Sequence, residues 1–364
     1  VSAGYRRARS PGLPVLRHQA ARGAALLTAL LIVTLVTTIA AAMLWRQARS
    51  IQIESAERGR AQSDWVLQGA LDWARLILRE DMRANKSAGA NAVDYNGEVW
   101  AVPLAEAKLA SFLATDDNHS ADSGPEAYLS GRIEDAQGRY NLYNLIPVEE
   151  TNPPKQLAIA QRLFQAAGLS SSLASDVQKR LREAFPVSTT ETATGSGSTT
   201  GGSTGSTTNG TSPLLPTRVD QLTWLGLTQE QVDRLKPLVV ILPPSQTNAK
   251  LITPTPVNIN TAPREVLAAL DANMTLSVAD QIVRAREAKG VTSADLGNYI
   301  PQSVDLTGLG QTTSQYFFVT GQLRLEDRLV TMRSLVWRDT SLITKVLDRQ
   351  YIQQSTSLQA FPGK

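Results

Sequence analysis

Groups able to do covalent or metal chemistry are sparse in this chain of 364 residues, which has no cysteine and two histidines, His18 and His119. No Ser-His-Asp triad, His-metal cluster or Cys-His pair can be assembled from them, and the missing thiols exclude disulfides and thiolate metal sites. What is left is oxygen chemistry. Asp116, Asp117, Asp122 and Glu126 form one acidic group, Asp135, Asn141 and Asn144 a second, and Asp295 with Asp305 a third. Each offers the oxygen ligands that calcium takes, although none has the spacing of an EF-hand loop and Asp and Asn also serve ordinary turns. The group Asp135, Asn141 and Asn144 is the preferred structural calcium site, because a fixed turn converges several side chains. Gly195-Ser196-Gly197 lacks the strand-to-helix setting of a phosphate loop. No enzyme is expected, although a carboxylate pair assembled only by the fold stays invisible at this level.

The elements that must position these residues begin with an apolar run. From Ala24 to Met43 there is no charge, and the polar residues are Thr28, Thr34, Thr37 and Thr38. About 20 such residues at 1.5 Å each span a bilayer core, and helical threonines can donate to the preceding turn. The texture does not break after Trp45: Arg46 to Glu80 contains no Pro, and Leu67, Leu71, Ala74 and Leu78 recur at helical spacing. One long helix is therefore expected to leave the membrane, with that stripe buried and Glu54, Glu57, Arg58, Arg60 and Asp64 in water. Arg6, Arg7, Arg9, Arg17 and Arg22, with no acid beside them, favour a cytoplasmic N-terminus, against the weaker pull of Arg46 and Arg49. The net charge of +3 includes those leader arginines, so the rest is close to neutral.

Arg22-Gly23 followed by Ala24-Ala25-Leu26-Leu27-Thr28 resembles a type IV prepilin processing site. The resemblance implies cleavage after Gly23 by a prepilin peptidase, N-terminal methylation of Ala24, and an assembly role for the fifth mature position. Most members carry Glu there, thought to pair with a neighbour's N-terminal amine. Thr28 departs from that, as expected of a subunit that initiates or caps a filament.

Further along, Ala127 to Ile133, a turn at Asp135-Ala136-Gln137-Gly138 and Arg139 to Leu145 read as a hairpin. Pro154 to Phe185 and Thr217 to Leu238 carry helical patterns on either side of Ser188 to Ser212, a Ser/Thr/Gly tract expected to be disordered. Tyr316 to Leu323, Arg328 to Trp337 and Thr344 to Tyr351 read as a closing meander. Early strands, helical interior and late strands imply one sheet with helices inserted between its strands. Trp65, Trp73, Trp100, Trp224 and Trp337 are expected in the core or at subunit contacts.

This order, with Ile133 to Leu145 before the insertion and Val257-Asn258-Ile259-Asn260-Thr261-Ala262 within it, resembles the K-class minor pseudopilins of type II secretion. The resemblance implies an α+β, pilin-like fold: a long N-terminal transmembrane helix packed on an antiparallel sheet, with a large α-helical insertion of helix-hairpin-helix or SAM-like type. The implied segments are leader 1–23, transmembrane helix 24–45, first pilin-like part 46–145, insertion 146–312 with loop 188–212, and closing strands 313–364. It also implies a non-enzymatic subunit of the bacterial inner membrane, its soluble part periplasmic, at the tip of the pseudopilus. Its partners would be the I and J classes, then H and the major G class.

The same interior motif supports an alternative. Asn258 to Leu270 and Ser277 to Ala288 resemble a helix-hairpin-helix module of a competence-like, DNA-binding pilus protein. Such modules hold phosphate on the amides of a Gly-rich hairpin. Here the connection is Asp271-Ala272-Asn273-Met274, without glycine and with an acid, so no nucleic acid is expected. Asn258 and Asn260 are instead expected to cap and turn the chain into a helix beginning near Pro263.

Overall fold

The computed structural model describes residues 20–109, 126–147, 155–185, 213–243, 245–248, 251–325 and 328–352. The leader before residue 20, Asp116, Asp117, Asp122, His119 and the tract 188–212 lie outside the described residues. The chain divides into two compact units, Val1–Asp64 and Trp65–Lys364.

Helix α1 (Ala20–Ala88) has 69 residues. Within the first unit its Leu, Ile and Val side chains from Leu26 to Val36 are exposed, and its apolar window has a mean hydropathy of 2.4, enough by length and composition to cross a membrane. The hydroxyls of Thr28, Thr34, Thr37 and Thr38 donate to carbonyls three or four residues back at 2.8–3.0 Å, so none is left unsatisfied against lipid.

In the second unit α1 carries the stripe read from its periodicity: Leu67, Leu71, Ala74 and Leu78 are all buried. It packs on a sheet of order β1-β2-β9-β10-β11. Strands β1 (Leu104–Lys108) and β2 (Ala127–Asp135) precede the helical interior. The others follow it, as set out below. On the face toward α1, Leu129 and Ile133 of β2 share one core with the stripe, and Trp100 meets the Phe317 ring edge-on at 5.2 Å.

Between the sheet halves lie β3 (Tyr140–Asn141), α2 (Lys155–Ala166), α3 (Ser172–Ala184), α4 (Gln229–Leu235), β4 (Val239–Val240), β5 (Ser245–Asn248), β6 (Leu251–Thr253), β7 (Val257–Asn258), α5 (Arg264–Leu270), α6 (Leu276–Ala285) and β8 (Gly310–Gln311). Their apolar faces close a second core, in which Leu163, Phe164, Leu181, Val232, Leu267 and Ile282 are fully buried. The pattern read over Pro154 to Phe185 resolves into two helices. Gly168, at φ +71°, takes the left-handed position that ends α2, while Leu169 N donates back to Phe164 O. Strands β9 (Tyr316–Leu325), β10 (Arg328–Arg338) and β11 (Thr344–Ile352) then form the expected meander. Strand β9 pairs antiparallel with β2 from Ala127↔Leu325 to Asp135↔Phe317, which joins the two ends of the chain.

The expected hairpin at Asp135 to Gly138 is not present. Strand β2 pairs with β1 and β9, and β3 runs parallel to β4, Tyr140 opposite Val239. The turn sends the chain off the sheet because Asp135 accepts from Gln137 N at 2.8 Å, and because Gly138 packs directly on Thr261, where a Cβ would sit 2.9 Å from its hydroxyl oxygen.

Leu78 is 0% exposed on the sheet side of α1. Leu78→Ala should destabilise the second unit by about 2–5 kcal/mol, read as a lower denaturant midpoint for the full chain in detergent.

Candidate functional site

Elements remote in sequence meet at a buried polar centre near the end of α1. Arg338, the last residue of β10, is 0% exposed, and so is Asp94. The Arg338 guanidinium donates to Asp94 Oδ1, to Asp81 Oδ2, to Leu78 O at 3.0 Å and to Ser314 O at 3.1 Å, and lies 4.5 Å over the Phe317 ring. Asp94 also accepts from Asn85 Nδ2 at 2.7 Å and from Ser314 N. Burial alone would lower the Arg338 pKa; Asp94 and Asp81 reverse that and raise it. A buried charge persists only when paired and fully hydrogen-bonded, as it is here.

The interior motif plugs into this centre. Asn258 Nδ2 donates to Asp94 O, to Asp135 Oδ2 and to Ser314 Oγ at 2.8–2.9 Å, and Asn260 Nδ2 donates to Val291 O at 3.0 Å. Both asparagines are 0% exposed. The expectation that they cap the following helix is corrected: Pro263 is the N-cap of α5 and no side chain caps it. Asn258 does turn the chain, accepting from Asn260 N at 2.9 Å. The Asn258 amide fastens the insertion to the sheet, and the Asn260 amide braces the insertion internally.

Asn141 and Asn144 both bond Thr255, whereas Asp135 bonds a different set of residues. Asp135 Oδ2 accepts from Thr261 and Ser314 hydroxyls, both at 2.6 Å, as well as from Asn258. Its pKa is raised by burial, against the pull of those hydroxyls. Asn141 Oδ1 accepts from Leu242 N at 3.0 Å and Asn144 Oδ1 from Thr255 N at 2.8 Å. With every one of these oxygens engaged by a protein donor, the three residues do not fit a calcium site. Asp295 and Asp305 are separately engaged too, by Thr292 and by Lys155 with Thr307.

The acidic group that does assemble is Asp81, Asp94 and Glu98, whose oxygens lie within 4.8 Å of one another. Sequence reasoning missed it, since no short spacing joins these residues to Arg338. They could hold a cation, but Arg338 already supplies positive charge to two of the three. Glu98 Oε2 accepts from Trp100 Nε1 at 2.6 Å and from Tyr95 N at 3.1 Å. Burial, reinforced by Asp81, pushes the Glu98 pKa up to about 7, and burial raises Asp81 to about 6 despite Arg338.

A second feature is an apolar groove of about 350 Å³ where α1 crosses β1, β2 and β9. Its floor is bare because Gly131 and Gly321 stand opposite each other on β2 and β9. Its rim holds Trp73, Val99 and Val102, 68%, 80% and 66% exposed. Trp65 is also exposed, whereas Trp100 is core. Large exposed apolar side chains clustered at a groove mark a contact surface.

A long N-terminal helix whose second half lies on an antiparallel sheet, with helices inserted between the strands, is a pilin-like fold. Family models of type II secretion system (T2SS), protein K, match residues 138–244 and 257–310. Protein K of the type II secretion system from Pseudomonas aeruginosa is 27% identical over 350 residues, covering 94% of this chain and 96% of the relative. That of Pectobacterium carotovorum subsp. carotovorum is 24% identical over 344 residues, covering 91% and 96%. A chain in the crystal structure of the GspK-GspI-GspJ complex of the type 2 secretion system of enterotoxigenic Escherichia coli shares the fold, with a TM-score of 0.56 at 17% identity over 82% of this chain and 99% of that one. These matches bear out the resemblance: the chain is similar to the K-class minor pseudopilins of type II secretion.

Two outcomes follow from the polar centre. Arg338→Met, which leaves Asp94 buried without its partner, should cost about 3–5 kcal/mol in denaturant titration. Because the folded state raises the Glu98 and Asp81 pKa values, it takes up protons on folding, so stability is highest at the acid end. It should fall as pH climbs from about 4 to about 7 and then level off. Glu98→Gln keeps an acceptor for Trp100 and should flatten that slope; an unchanged slope would assign it elsewhere.

Proposed function

We propose that this chain initiates or caps the type II secretion pseudopilus at its tip, assembling with the I and J minor pseudopilins and, below them, the H and major G classes, for export of folded proteins. The first part of α1 anchors it in the inner membrane with a cytoplasmic N-terminus and a periplasmic soluble part, until prepilin peptidase cleaves after Gly23 and Ala24 is methylated.

The observation that carries this reading is the state of Thr28. Its hydroxyl is spent on Ala25 O at 2.9 Å, one turn back in its own helix. The position where repeating pilins resemble one another in carrying Glu therefore presents no charge to a neighbour's amine. Such a subunit has no use for a neighbour on that side, which suits an end position. The relative solved with GspI and GspJ supports the choice of partners, and the exposed groove beside Trp73 supplies a surface for them.

The DNA-binding alternative is less well supported by the interior hairpin. Asp271 Oδ1 accepts from Asn273 N at 2.8 Å, occupying an amide that a phosphate would need. Arg286 is buried and its Nη1 donates to Ile259 O. The hairpin thus spends its amide and a cation on the fold.

Co-expression of the full chain with prepilin peptidase and the I and J pseudopilins of the same host tests the reading. A new N-terminus at methylated Ala24 and co-purification of all three are expected. Trp73→Asp should weaken recovery about tenfold or more. An intact Gly23-Ala24 bond, or salt-sensitive DNA binding without I and J capture, would overturn it.

A further inference from the structure

The face of the sheet turned away from α1 carries a second cavity, about 500 Å³, between β9–β11 and the segment from Leu215 to Pro243. Its lining combines apolar side chains, among them Phe318, Leu335 and Ile241, with four cations, Arg139, Arg218, Lys236 and Arg333. Two acids face them, and both are engaged: Asp220 accepts from Lys236 Nζ at 2.8 Å and Asp348 from Gln350 Nε2 at 2.7 Å.

Arg333 is the informative residue. Its guanidinium lies 3.9 Å over the Phe318 ring, and its Nε is buried without a hydrogen-bond partner. Its nearest carboxylate, Glu134, is 3.7 Å away, too far for a good hydrogen bond, and is shared with Arg132. Burial lowers the Arg333 pKa, Glu134 and, less, Asp220 oppose that, and the neighbouring Arg139 and Arg132 add to the lowering. The Arg139 guanidinium itself makes no hydrogen bond among the described residues. Like charges held together with an orphaned buried donor are unfavourable, and Glu134 at 3.7 Å offsets them only in part. A carboxylate presents two oxygens that suit guanidinium forks, and the apolar lining beside them favours one carried on a peptide over a free inorganic anion.

Among the described residues the cavity also opens beside the strand at the edge of the sheet. β11 is an edge strand of the five-stranded sheet, and a bulge against β10 leaves Leu347 as the extra residue between Val346, opposite Val336, and Asp348, opposite Leu335. Leu347 is 43% exposed and lines the cavity. An unpaired edge accepts an added strand, and a bulge re-aims the side chain beside it.

We propose that this cavity binds an extended acidic segment of a partner protein, with a Glu or Asp carboxylate between Arg139 and Arg333 and an apolar neighbour against Leu335 and Leu347. The site lies on the sheet face opposite the groove beside Trp73 and is independent of the tip assignment. It selects its occupant by charge complementarity on an apolar floor.

The test uses the full chain in detergent micelles and fluorescence anisotropy of fluorescein-labelled Gly-Leu-Glu-Phe-Glu-Gly amide, with the same peptide carrying Gln for both Glu residues as reference. Saturable binding is expected for the acidic peptide, about tenfold weaker for the amide form. Arg139→Gln, which breaks no hydrogen bond of the fold, should remove that difference, while Arg83→Gln on α1 should leave it intact. Arg333→Lys keeps the charge but not the fork and should weaken binding in part. Equal affinity for the two peptides, no saturation, or indifference to Arg139→Gln would overturn the proposal. So would full displacement by equimolar sodium sulfate, which would reduce the cavity to a simple anion site.

Discussion

The soluble part of this chain depends on one buried guanidinium. Arg338 ends β10 at 0% exposure and binds the end of α1 through Leu78 O and Asp81, the following loop through Asp94, and the approach to β9 through Ser314 O. Each of these groups would carry a desolvation cost alone, and together they satisfy one another. Hydrophobic burial of the Leu67–Leu78 stripe sets helix against sheet, but it is non-directional. The fork of Arg338 specifies where along the sheet the helix ends, because its donors lie in fixed directions.

The insertion is attached to that same centre and not to the sheet alone. Asn258 bridges Asp94, Asp135 and Ser314, so the loop after α1, the end of β2, the approach to β9 and the interior motif share one hydrogen-bonded cluster. Displacing the insertion would strand buried acceptors in the pilin-like half. A large insertion can then be carried as a rigid extension of the sheet, because the polar groups at its root have no satisfactory alternative partners.

Much of the fold was legible in sequence, and the reasons are local. Leu67, Leu71, Ala74 and Leu78 announce their face by helical period, and the three late strands by β-branched and aromatic content. The polar centre was not legible, since Arg338 and Asp94 are 244 positions apart and neither stands in a recognisable spacing. The misread hairpin has the same origin. Asp135-Ala136-Gln137-Gly138 has good turn chemistry, but whether the chain doubles back depends on Thr261 packing against Gly138 from across the insertion. Asp135, Asn141 and Asn144 looked like ligands because oxygen-rich turns look alike before their donors are known. The interior donors Thr261, Leu242 and Thr255 turn them into structural acceptors.

The same logic separates the two surfaces from the core they adjoin. In the groove beside Trp73, the opposed Gly131 and Gly321 withhold side chains where a filled sheet would place them, and a Cβ on Gly321 would meet Leu67 at 3.2 Å. The glycine there is a condition of α1 lying close, and the groove is its by-product at the edge of the contact. The cavity beneath β11 has no such structural reason. Arg333 stacks on Phe318 and approaches Glu134 at 3.7 Å, yet its buried Nε has no partner, which lowers stability. An unmatched donor among converging cations is better explained by what it contacts outside the fold.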